Sequence, residues 1–63
     1  MYAIKQTYWN HKGQYWQKII SKRYKTWRNA EKTASRSYRF ICRNQATGEV
    51  LEKSSADVVE VKP

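Results

Sequence analysis

Apolar and polar residues alternate from Tyr2 to Trp9, with Tyr2, Ile4 and Tyr8 on one face and Ala3, Lys5 and Thr7 on the other. That period of two predicts a half-buried strand, and Gln6 is the polar interruption of its apolar face. Asn10, His11, Lys12 and Gly13 predict a turn: Asn tolerates left-handed geometry and Gly13 reaches positive φ without steric penalty. The run from Tyr15 to Tyr24 is again rich in strand formers but breaks alternation. Ile19 and Ile20 are adjacent, while Trp16, Lys18, Ile20, Lys22 and Tyr24 share a face. A bulge or bend at Ile19 to Ser21 reconciles the two, within one strand or by dividing the run into two short ones.

From Trp27 to Ser37 the period becomes helical, with Trp27, Ala30, Ala34 and Tyr38 on one side and Thr26 or Asn29 placed to cap the start. Alternation returns over Tyr38 to Arg43, setting Tyr38, Phe40 and Cys42 on the inward face of a third strand. The segment Asn44 to Gly48 predicts a turn with Gly48 at a left-handed exit. Glu49 to Lys53 then forms a returning strand, Ser54 to Ala56 a break, and Asp57 to Val61 a last strand or extended tail. The expected class is α+β: a single domain over 1–63, β-β-α-β-β with a possible fifth strand, one helix packed on a mostly antiparallel sheet.

Length sharpens the question of what holds such a fold together. A chain of 63 residues buries only about 60% of its unfolded surface, and a core of that size supplies no more than ~3–5 kcal/mol without a staple. The lone Cys42 has no partner for a disulfide, and the lone His11 offers no second imidazole for a closed zinc site. Nine aromatics, three of them Trp, take the place of a staple, since each buries roughly 150–250 Å². Trp27, Tyr38 and Phe40 are assigned to the core. Tyr8, Trp9 and Trp16, beside the first turn, are the candidates for exposed rings. A homodimer is a further route to stability.

Charge changes the picture from fold to partner. The formal net charge is +8, and nine of the thirteen Lys and Arg residues fall between Lys18 and Arg43 with Glu31 as the sole acid among them. Residues 49–63 are instead net acidic. Arg28, Lys32 and Arg36 succeed one another four residues apart on the outer side of the helix, where each like-charge pair costs ~0.2–0.5 kcal/mol of helix stability. With Lys18, Lys22, Arg39 and Arg43 they form the candidate basic face. Phosphate backbones are the commonest partner for such a surface, because Lys and Arg displace condensed counterions whatever the base sequence. Nucleic acid, DNA or RNA, is therefore the first expected partner. The second is an acidic or nucleic-acid-binding protein surface, since Tyr, Trp and Arg are the residue types that dominate protein interfaces.

No catalytic constellation is encoded. His11 lies in a turn, Cys42 reads as a small buried residue, and nothing in their spacing brings them to a third orienting group. The expectation is a non-enzymatic protein with no cofactor. The opening MYAIKQTYW lacks a basic segment followed by an apolar stretch, and no run approaches the ~18 apolar residues of a membrane span. A cytoplasmic location is expected, and a single unpaired cysteine agrees with a reducing compartment.

The opening strand Tyr2-Ala3-Ile4-Lys5, the hairpin after it and the helical segment Ala30-Glu31-Lys32-Thr33-Ala34-Ser35-Arg36 resemble certain small phage-encoded anti-CRISPR proteins of the β-β-α-β-β kind, over about residues 2–43. That resemblance implies a non-enzymatic inhibitor of a bacterial CRISPR surveillance complex, acting in a host cytoplasm where the complex holds guide RNA or receives DNA. The chain is also similar, more loosely, to the strand-rich arm-site-binding domains of phage and transposon integrases. Both resemblances imply a mobile-element origin.

Overall fold

The computed structural model describes residues 1–62 as one helical segment packed on a four-stranded antiparallel sheet. The strands are β1 (Tyr2–Asn10), β2 (Tyr15–Ile19), β3 (Phe40–Arg43) and β4 (Val50–Glu60), and the helix α1 (Trp27–Thr33) runs on into a single wider π turn at Ala34–Tyr38. The sheet order is β2-β1-β4-β3. The two longest strands thus form its middle, Tyr2 pairing with Glu60 and Asn10 with Glu52. The expected α+β architecture is the observed one.

The first turn forms as its residues dictate. The Asn10 side-chain oxygen accepts from the backbone N–H groups of Lys12 (3.0 Å) and Gln14 (3.1 Å), and Gly13 takes φ +88°. Gly48, at φ +75°, closes the second hairpin in the same way. At the helix start the Thr26 hydroxyl accepts from the Asn29 N–H, which satisfies one of the otherwise free donors of the first turn. A spacing of four runs about 40° ahead of a 3.6-residue turn. The wider turn after Ala34 sets that drift back, which keeps Ala30, Ala34 and Tyr38 all toward the sheet.

The core is small. Among the described residues Ile4 is the single large side chain that is fully buried; it packs with Ala30, Ala34 and Ala56, and Tyr2, Ile20, Tyr24, Tyr38 and Val58 close around them half-buried. Alanines on the helix and at β4 allow the two layers to approach closely. Gln6, the residue that broke the apolar pattern, is buried because it is satisfied: its amide donates to the Ser54 hydroxyl (2.8 Å), which donates to the Tyr38 carbonyl (2.6 Å). That relay ties both central strands to the end of the helical segment.

The structure decides some expectations and corrects others. The run Tyr15 to Tyr24 divides: β2 stops at Ile19, and Tyr24 rejoins β1 through an isolated bridge to Tyr2. Ser54 to Ala56 is no break, and there is no fifth strand among the described residues. Small side chains there let β4 pass uninterrupted beneath the helix. Tyr38 belongs to the π turn, and β3 begins at Phe40. Trp27, assigned to the core, is 54% exposed: it opens α1, whose one buried residue is Ala30, a turn further on. Phe40 and Cys42 point to the helix side of the sheet but lie beyond the helix's reach, on the short outer strand, and are exposed.

The helix covers one face of the sheet only, and over only part of its length. The principal extents, 44 × 20 × 12 Å, describe a thin plate. The other face carries no helix, and Ala3 is its fully buried side chain.

Candidate nucleic-acid interface

Arg28, Lys32 and Arg36 stand on the side of the helical segment opposite Ala30 and Ala34. All three are exposed, and none has a hydrogen-bond or ion-pair partner among the described residues. Their charges are uncompensated because the nearest helical acid, Glu31, is turned to another cation. The connector leading into the helix adds Lys22, Arg23 and Lys25, all exposed, so cations precede α1 in sequence as well as line its outer side. Lys22 lies 5.7 Å from the centre of the Tyr24 ring, and Arg23 donates to the carbonyls of Ile20 and Ser21 at the bend. Lys18 projects from β2 on the same side of the sheet as the helix, its ammonium 5.0 Å above the Trp16 ring.

Arg39 does not join these cations. Its guanidinium donates twice to the Ala56 carbonyl (3.0 and 2.8 Å), to the Ser35 hydroxyl (2.9 Å), and to both carboxylate oxygens of Glu31, so it clasps the helix to β4. The hydrogen bonds from Arg39 hold the Glu31 carboxyl below the usual carboxylate range, and the same contact raises Arg39 further above its ordinary value. Arg43 sits at the irregularity that ends β3, donates to the Gly48 carbonyl (3.1 Å), and lies at the far edge of the sheet from Lys18. The structure therefore aligns Arg28, Lys32 and Arg36 on one side of the helical segment, puts Lys22 in the connector before it and Lys18 on β2 on the helix side of the sheet, leaves Arg43 at the opposite edge, and gives Arg39 a role within the fold. Lys25, not among the candidate residues of the basic face, is a further exposed cation beside the helix start. Its place in the sequence next to the helix start was the available signal.

The candidate aromatics also separate. Tyr8 and Trp16 stack on each other at 5.1 Å between ring centres, on the helix side of the sheet. Lys18 covers the Trp16 ring, and the Tyr8 hydroxyl donates to Glu52 at 2.5 Å. Hydrogen bonding to Glu52 pushes both the Tyr8 phenol and the Cys42 thiol up, which keeps Cys42 in the thiol form. Trp9 is on the bare face with Lys53 5.5 Å over its ring. These three rings are engaged from above by a lysine or a neighbouring ring, so they are not free platforms for base stacking. His11 is exposed, its Nδ1 3.0 Å from the Leu51 carbonyl. Among the described residues no group of three or more His, Cys, Asp or Glu side chains is placed to hold a metal ion, and no helix is long and apolar enough to cross a membrane.

Comparison of the chain with protein-family models, curated proteins and solved structures returns no match.

Proposed function

We propose that this chain is a small non-catalytic binding protein that engages the phosphate backbone of nucleic acid through the band Lys18, Lys22, Lys25, Arg28, Lys32 and Arg36. The observation that carries this reading is the unpartnered state of Arg28, Lys32 and Arg36. Three like charges in a row on a seven-residue helix and its continuing turn weaken that helix, and nothing in the fold offsets them. A polyanion does, by exchanging its condensed counterions for the three side chains. Backbone contacts of this kind position a protein on nucleic acid without reading its sequence. Lysines and neighbouring rings already cover Tyr8, Trp9 and Trp16, which favours phosphate contact over base stacking.

The test is direct titration of the protein into labelled single- and double-stranded DNA and RNA at low and at physiological salt. Saturable binding that weakens with salt is the expected result, and charge reversal at Arg28, Lys32 and Arg36 together weakens it for every sequence. Absence of binding at low salt to all four nucleic acids removes the proposal.

A second reading is favoured by Trp27, 54% exposed beside Arg28. A bare Trp next to an Arg is the residue pairing that anchors protein interfaces, so the same band also suits an acidic protein surface, such as that of a host nucleic-acid-binding complex with the mobile-element proteins' targets as its type. Trp27→Ala distinguishes the two: it spares phosphate binding and abolishes capture of a protein partner that survives nuclease treatment.

A further inference from the structure

The face of the sheet that the helix leaves bare is organised in rows across the strands. The outermost row runs Tyr15, Trp9, Lys53 and Ile41, one residue from each of β2, β1, β4 and β3 in register. Below it lie Gln17, Thr7 and Ser55, and then Ile19, Lys5 and Asp57. Tyr15 and Ile41, at the two ends of the first row, are 60% and 59% exposed, and Ile19 is 52% exposed. Between the ends lies a groove of about 440 Å³ lined by Thr7, Trp9, Tyr15, Ile41 and Lys53. Exposed apolar side chains at this density on one face mark an interaction surface.

We propose that the bare face is the interface of a homodimer, in which two copies stack sheet on sheet about a two-fold axis running parallel to the strands between β1 and β4. The register supplies the self-complementarity such an axis requires. It places β1 over the partner's β4 and β2 over the partner's β3. Every row then meets a matching one: Tyr15 covers Ile41 of the partner subunit, Trp9 meets Lys53 of the partner subunit, Thr7 meets Ser55 of the partner subunit, and Lys5 meets Asp57 of the partner subunit. No like charges oppose each other, although both lysines of the face take part.

Charge also selects this surface over the others. The chain carries a formal net charge of +8, and the helix side holds the uncompensated cations. On the bare face Lys5 is paired in register with Asp57, and the Lys53 ammonium is held over Trp9. Two copies approaching by this face keep their basic bands outward and apart, where each remains open to a polyanion. A nucleic-acid strand on the bare face would find too few cations for its phosphates. The plate's broad dimensions, 44 × 20 Å, bound the area this face can bury, and that bound is of the order of the ~800 Å² per partner of a standard interface. With Ile4 as the one large side chain fully buried among the described residues, covering this face adds the apolar burial that so short a chain otherwise lacks.

The mass of the intact protein is measured by light scattering over a dilution series, for the wild type, for Tyr15→Glu, for Ile41→Lys, and for an equal mixture of the two variants. Wild type is expected to show twice 7.6 kDa at micromolar concentration. Each variant alone has its dissociation constant raised at least about 30-fold, because its new charge is set without a partner against an apolar side chain of the other copy. The mixture restores the dimer, because the new carboxylate of one copy then faces the new ammonium of the other. A wild type that is monomeric throughout, a dimer indifferent to Tyr15→Glu, or a mixture that stays monomeric overturns the proposal. If either variant is unfolded by circular dichroism, the wild type decides alone: its melting midpoint rises with protein concentration in a dimer and is constant otherwise. Loss of oligonucleotide binding in Tyr15→Glu, with a monomeric wild type, assigns the face to nucleic acid instead.

Discussion

Ile4→Ala tests the account of the core most severely. Ile4 is fully buried, and its fully buried partners, Ala30 and Ala34, carry a single methyl each, as does Ala56. They cannot extend into the space a missing side chain leaves, so the cavity persists. Large-to-small changes of this type cost 2–5 kcal/mol, and rigid surroundings place the cost toward the top of that range. A core of this size supplies about 3–5 kcal/mol in all, so the variant is expected to be largely unfolded at room temperature. Ile4→Val should lose only ~0.5–1.5 kcal/mol, and a domain this small loses about 4–8 °C of melting midpoint for each kcal/mol. Urea and thermal unfolding followed by far-ultraviolet circular dichroism, at one fixed protein concentration, give both values. A loss for Ile4→Ala of less than ~1 kcal/mol, near the ±0.5 kcal/mol typical of surface positions, would refute the reasoning.

Other expectations follow from single contacts. Glu31→Gln removes the ion pair with Arg39 and lowers the melting midpoint at neutral pH; because the folded-state carboxyl titrates below its unfolded value, the wild type's advantage is full above the unfolded pKa of about 4.3 and disappears as pH falls through the lower folded value. A gap between the two melting curves that persists into strong acid contradicts this. Ser54→Ala strands the buried Gln6 amide and should destabilise by ~1–3 kcal/mol, with Gln6→Leu in the same chain recovering part of the loss in urea melts. Gly13→Ala meets no atom within 4 Å, so its cost in the same assay is the backbone strain of φ +88° alone, about 1–2 kcal/mol.

The order and type of the elements were legible because two periodicities were clean: alternation in Tyr2 to Trp9, and three-four spacing through Ala30 and Ala34. The Asn10-to-Gly13 turn was legible from its residue chemistry. Other features depend on where elements end in space. Nothing in the residues Trp27, Phe40 and Cys42 tells that the helix is too short to cover them, so apolar type was read as burial. Ser54 and Ala56 read as a break on composition, yet a strand beneath a close-packed helix needs small side chains there. In the candidate site, strand alternation sets Arg39 with Arg43 opposite Phe40 and Cys42, and so among the outward cations. Its pairing with Glu31 spans eight residues and the junction from helix to strand, which no fixed spacing reveals. The stripe Arg28, Lys32, Arg36 was legible because its four-residue interval survives the change from α1 to the wider turn.

The central claim is that these three side chains meet phosphate, and the dependence of binding on salt measures it most directly. Each phosphate contact on duplex DNA contributes about 0.9 to the slope of log affinity against log salt concentration. Arg28→Gln, Lys32→Gln and Arg36→Gln combined should therefore make the slope shallower than that of the wild type by about 2.7 and weaken binding to every sequence alike. An unchanged slope would contradict the claim, even if affinity fell.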